Sequence, residues 1–101
     1  MITGRKIKAL SKKGWKFRIR WMSAQGLCHY QKEELSLNPM KSLASILIHE
    51  AFHALHPKMS HPRVYMMEDL ERFTITKKRA EGIVKAFSPK LYKAIKALEE
   101  R

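Results

Sequence analysis

Asn38-Pro39-Met40-Lys41-Ser42-Leu43-Ala44-Ser45-Ile46-Leu47-Ile48-His49-Glu50-Ala51-Phe52-His53-Ala54-Leu55-His56-Pro57 is the stretch that decides the fold. Asn38 is a favoured helix N-cap, and a proline just after it is pre-set for the first helical turn. Pro57 cannot continue a helix. A helix from about 39 to 56 is therefore expected. Each residue turns the helix by about 100°. Met40, Leu43, Ala44, Leu47, Ile48, Ala51, Ala54 and Leu55 then cover one side, and His49, His53, Ser42, Ser45 and His56 share the other. The first side should pack on a core and the second should face a polar surface or cleft.

Within this helix His49-Glu50-Ala51-Phe52-His53 reads H-E-x-x-H. Histidines at i and i+4 lie about 40° apart around the axis, so both imidazoles can reach one ion. Zinc suits them, because it accepts nitrogen ligands in a tetrahedral site that can keep one position open. Glu50 stands at the edge of the same face, placed to take a proton from a water activated by the ion. A third ligand is required. His61 stands eight residues after His53, beyond the Pro57 break, where a chain reversal can return it over the first helix. Glu68 lies two turns further along the same face of the next helix and is the alternative. His56 is two turns from His49, about 10 Å along the axis, too far for the same ion, and is left as a neighbour or substrate contact. Tyr65, Arg63 and His56 are candidates to stabilise an oxyanion.

Residues 43–57 resemble the active-site helix of small zincin metallopeptidases, in particular the SprT-like and Wss-like (Spartan-type) proteases. The resemblance covers about residues 26–73. A short strand region like Gly26–Tyr30 to Leu35–Asn38 precedes the helix in that family. His61-Pro62-Arg63-Val64-Tyr65-Met66-Met67 is similar to the His-bearing segment of Wss-like proteins, with two residues more in the connection. In minigluzincins the third ligand is a Glu on a later helix, which Glu68 would mimic. The metzincin-like spacing would place a third His at position 59, which is Met59 here. The resemblance implies a zinc peptidase acting on protein or peptide substrates. Spartan-type proteases digest proteins crosslinked to DNA.

Upstream, Trp15-Lys16-Phe17-Arg18-Ile19-Arg20-Trp21 alternates apolar and basic residues, the pattern of a strand. Its aromatic face is expected under the helix as core, with Lys16, Arg18 and Arg20 outward as a cationic ladder. Segments 27–30 and 34–37 read as two more strands around a turn at 31–33, and residues 5–13 as a short helix or strand. The strand ending at Leu37 is expected beside the active-site helix, with a free edge for an extended substrate. Downstream, helices are expected from Ser60 to about 73, at 76–87 and at 89–100, the last capped by Ser88-Pro89. The class is α+β: a small antiparallel β-meander, then the H-E-x-x-H helix and further helices, in a single domain spanning 1–101.

The chain has 101 residues, 21 Lys+Arg against 9 Asp+Glu and a net charge of +12. Residues 1–20 carry eight basic residues and no acidic one, and residues 77–101 carry eight basic and three acidic. These ends are either solvated surface or a DNA- or RNA-binding face. The candidates are Lys16, Arg18 and Arg20 at one end and Lys77, Lys78 and Arg79 at the other. One cysteine, Cys28, excludes an internal disulfide and fits a reducing compartment. No apolar run reaches the length of a membrane span, and no secretory signal is visible. A soluble, cytoplasmic protein is expected. The rival readings are a basic nucleic-acid-binding module with a structural zinc, and an inactive zincin-like protein that binds partners.

Overall fold

The structure is a computed structural model that describes residues 1–99, with side chains described for all of these except residues 72 and 73. The order of elements is α1 (Gly4–Lys12), β1 (Lys16–Ile19), β2 (Gly26–His29), β3 (Glu34–Leu37), α2 (Pro39–Leu55), α3 (His61–Thr74), α4 (Lys77–Phe87) and α5 (Pro89–Leu98). The α+β class holds. Residues 5–13 resolve as helix. It ends because Gly14 adopts φ +97°, so that Trp15 N–H reaches Leu10 C=O and Gly14 N–H reaches Ser11 C=O, the Schellman pattern that glycine permits.

The sheet is mixed, not an antiparallel meander. Its order is β1-β3-β2. β3 pairs in parallel with β1 (Phe17 opposite Leu35) and antiparallel with β2 (Cys28 opposite Leu35). The reason lies in residues 20–25. A meander would turn tightly there, but this connection spans two strand spacings, about 10 Å, and is pinned to the start of α2. The buried Asn38 side chain caps Lys41 N–H at 3.2 Å and donates to Met22 C=O at 2.8 Å and Ala24 C=O at 3.3 Å. The buried Lys41 ammonium donates to Ser23 C=O. The gap admits β3. With both its edges paired, β3 has none to offer, so the expectation of a substrate strand added beside Leu37 is corrected: only β1 and β2 present open edges.

A second correction concerns which face of the sheet is covered. Glu34 and Ser36 are buried, whereas Phe17 is 45% exposed and Leu37 56%. Glu34 accepts from Arg18 at 3.3 Å and from Ser36 Oγ at 3.3 Å. Arg18 therefore turns toward a buried acid rather than outward, Lys16 stays exposed, and Trp21, not Phe17, packs on the core. Burial works to raise the Glu34 carboxyl, but the hydrogen bond and charge of Arg18, with Ser36 and the charge of Arg20, outweigh it and hold it below the ordinary value.

The core is helical. Met40, Ala44 and Ile48 of α2 meet Ile75, Ala80, Val84 and Ile95, with Trp21, Leu43, Leu47, Phe52, Leu91 and Tyr92 around them. The buried stripe of α2 also takes in Lys41 and Ser45, Ser45 Oγ donating to Lys41 C=O at 2.9 Å. Ala51, Ala54 and Leu55, expected in the packed stripe, are exposed. α4 and α5 cover one side of α2 and α3 another. No helix among the described residues is long and apolar enough to cross a membrane.

Candidate metal centre

Helix α2 is anchored at its N-terminus by the Asn38 cap and along its length by the core, so His49 and His53 project at a fixed height and angle. Chain reversal at Pro57 brings α3 back across them. Ser60 is its N-cap, and fully buried Val64 seats it. His61, Tyr65 and Glu68 follow at spacings of four and three, which line one face of a helix. That face lies on the histidines of α2.

The result is a cluster. One ligand atom from each of His49, His53 and His61 lies within 4.8 Å of the others. The ring centroids are 4.9 Å apart for His49 and His53, 5.4 Å for His49 and His61, and 4.8 Å for His53 and His61. His49 and His53 are half-buried and His61 is exposed. The Tyr65 ring lies 4.8 Å from His49 and 5.0 Å from His61.

Glu68 lies outside the three-histidine cluster. Its Oε2 lies 2.6 Å from Nδ1 of His49, with side-chain exposures of only 14% and 12%. The carboxylate fixes this ring and its tautomer and leaves Nε2 of His49 for an ion, the arrangement of a histidine ligand held by an outer carboxylate. Of the two candidates for third ligand, His61 is the one in the cluster and Glu68 the one behind it.

The donor set fits zinc. Tetrahedral bonds of about 2.0–2.1 Å hold nitrogens roughly 3.4 Å apart, a contraction within reach of small side-chain rotations. Nε2 of His53 is buried and has no hydrogen-bond partner. A buried polar atom without a partner is costly, and an ion at this point would satisfy it.

Glu50 is exposed and shares a cleft of about 270 Å³ with Ile46, His49, Tyr65 and Glu68. So the carboxylate expected to act as base and the tyrosine lie together beside His49. Arg63 and His56 line a different and larger cleft of about 700 Å³, with Leu55, Pro57, Lys58, Met59 and Ser60. His56 stacks on Phe52 at 6.4 Å and is outside the cluster. This second cleft was not foreseen, because it is formed by the connection between α2 and α3, whose path the sequence does not fix.

The residues considered for nucleic acid divide. Lys16, Lys77 and Lys78 are exposed. Arg18 pairs with Glu34, Arg20 is half-buried, and Arg79 pairs with Glu71. Helix α1, which carries Arg5, Lys6, Lys8 and Lys12, has no buried residue.

Comparison with known protein families, with curated proteins and with solved structures finds no match.

Proposed function

We propose that the chain is a zinc-dependent peptidase. The observation that carries this reading is the convergence of three imidazoles from two helices, one of them backed by Glu68, with the carboxylate of Glu50 in the cleft that His49 lines. His49, His53 and His61 would hold the ion. When bound, zinc supplies Lewis acidity that polarises a carbonyl and makes water a nucleophile near neutral pH. Glu50 takes the proton of the attacking water and passes it to the leaving amine. The Tyr65 hydroxyl, in the same cleft, donates to the oxyanion as the carbonyl carbon becomes tetrahedral. Glu68 keeps the His49 ring in register throughout.

A purely structural zinc site closes its fourth position with protein. Among the described residues the cluster contains three ligand groups, and Glu50 beside it is solvent-exposed, which favours an open site over a structural one. The H-E-x-x-H helix is the basis of the resemblance to SprT-like proteases and minigluzincins, and the exposed cations of α1 with Lys16, Lys77 and Lys78 support action on proteins bound to DNA or RNA. The lone Cys28 supports a reducing, cytoplasmic setting.

The test is hydrolysis of an unstructured protein by purified chain with and without zinc, run beside Glu50→Gln. Zinc-dependent cleavage that Glu50→Gln abolishes supports the reading. Full occupancy by zinc with no cleavage in either protein points to the nucleic-acid-binding or partner-binding alternative.

A further inference from the structure

The cleft of about 700 Å³ between α2 and α3 has a distinct chemistry. Its apolar wall is Leu55, Pro57 and Met59. Its polar groups are His56, Lys58, Ser60 and Arg63, with no acid among them. No ion pair or hydrogen bond within the described residues engages the side chain of Lys58 or Arg63, and the Ser60 hydroxyl makes no cap bond. Elsewhere this chain uses its acids to neutralise cations, as in the pairs Arg18–Glu34, Arg79–Glu71 and Lys96–Glu81. Here two cations and a histidine gather around a concavity with nothing to answer them.

The cleft also has a fixed relation to the candidate metal centre. Leu55 follows His53 by two residues, and Ser60 directly precedes His61. Consecutive Cα atoms stand about 3.8 Å apart, so the rim at Ser60 is one residue from a zinc-binding group. The cleft therefore borders the candidate centre along the chain, at the end of α2 and at the start of α3.

We propose that this cleft is a substrate subsite for a carboxylate, supplied by an acidic side chain or by the C-terminus of the peptide. The inference rests on the peptidase reading for its substrate class and adds the selectivity of the same site. Arg63 presents a planar fork that matches a carboxylate in two hydrogen bonds, and Lys58 adds a point charge. Leu55, Pro57 and Met59 cover the aliphatic part of the bound residue. The volume falls within the range of about 300–1,000 Å³ usual for ligand pockets, enough for more than one side chain. A nucleic-acid phosphate carries the same sign of charge, but strand binding uses aromatic platforms for the bases, and the lining contains no Phe, Tyr or Trp.

The experiment uses quenched fluorescent peptides of one sequence, with Glu, Gln or Lys placed in turn on each side of the scissile bond, and each ending in a free acid or an amide. Wild type is compared with Lys58→Glu and Arg63→Glu. In parallel, labelled uncleaved peptides are titrated onto the Glu50→Gln protein. At one position Glu, or the free acid at the end, should raise kcat/KM about tenfold over Gln or amide, the scale of one charge-assisted hydrogen bond. The position at which the preference appears separates a side-chain carboxylate from a C-terminal one. Both charge reversals should remove the preference. Cleavage with no preference for acid, or a preference that survives both reversals, overturns the inference and leaves the peptidase reading intact. No cleavage at all, with acid-selective binding to the Glu50→Gln protein that Lys58→Glu abolishes, sinks the peptidase reading and keeps the carboxylate cleft. Binding without selectivity, or displacement of the acidic peptide only by an oligonucleotide that itself depends on Lys58 and Arg63, overturns it as well.

Discussion

Oε2 of Glu68 lies 2.6 Å from Nδ1 of His49, joining α3 to α2 across nineteen residues of sequence. On the proposed reading this contact makes Glu68 a positioning residue, with His61 as the third ligand. Glu68→Gln or Glu68→Ala should weaken zinc binding by about 10- to 100-fold, the usual effect of removing an outer partner. His61→Ala should weaken it further, and His49→Ala or His53→Ala should abolish it. Competition with a chromophoric chelator gives each affinity. A Glu68→Ala loss larger than that of His61→Ala would reverse the two roles.

Glu50 is exposed and no part of the three-histidine group. Glu50→Gln should therefore retain one zinc per chain and an unchanged thermal midpoint, while kcat drops by a factor of about 10²–10⁴ with the loss of the general base. Metal content by atomic absorption beside single-turnover cleavage checks both halves. Loss of zinc in this variant would mean that Glu50 is a ligand.

Asn38 joins three carbonyl and amide groups of the 22–24 connection and the first turn of α2. Asn38→Ala removes a cap and leaves the Met22 and Ala24 carbonyls without this donor, at a cost of about 1–2 kcal/mol. Asn38→Asp keeps the cap but not the donors and should be intermediate. Urea unfolding of the zinc-free proteins measures this without interference from metal linkage. Equal stability of Asn38→Ala and wild type would show that the connection is not held in this way.

Glu34 gives the acid limb of the stability curve its expected shape. Its carboxyl is held below the unfolded value, so its contribution is present above about pH 4.3, the unfolded carboxyl value, and fades as pH falls through the lower folded value. Lys96 has the opposite sign. The Glu81 hydrogen bond raises its amine against the opposing effect of burial, with the charges of Glu81 and Glu99 adding to the rise. Its contribution is complete below about pH 10.4 and is lost as pH rises through the folded value. Glu34→Gln should flatten the acid side of a plot of unfolding free energy against pH and leave the alkaline side alone. A flattening on the alkaline side instead would contradict this assignment.

The exposed cations of α1, with Lys16, Lys77 and Lys78, should give salt-sensitive binding to DNA or RNA without strong sequence preference. Each phosphate contact adds a log–log salt slope of about −0.7 to −0.9. Lys77→Glu with Lys78→Glu should reduce the slope, whereas Arg18→Gln should reduce stability instead, since Arg18 serves Glu34. Fluorescence anisotropy over a salt series makes the comparison. Absence of binding at low salt would reduce the basic ends to solvated surface.

Local order in this chain was legible in one dimension. Asn38-Pro39 and Pro57 set the bounds of α2, Ser88-Pro89 set the start of α5, and four-residue spacing placed His49 beside His53, because caps, proline and helical period act over a few residues. The same periodicity put His61 and Glu68 on one face of α3. What it left open was everything that depends on where an element docks. Alternation in 15–21 grouped Phe17 with Ile19 and Arg18 with Arg20, but the covered face was settled by buried Glu34, which draws Arg18 inward. The parallel pairing of β1 with β3 depended on a connection pinned by Asn38 and Lys41. His61, with Glu68 as its alternative, was a candidate for one role, and the docking of α3 set a ring of the first among the histidines and the carboxylate of the second behind His49. A helical period fixes angles around one axis, and only packing fixes the distance between two axes, which is the quantity that a metal centre requires.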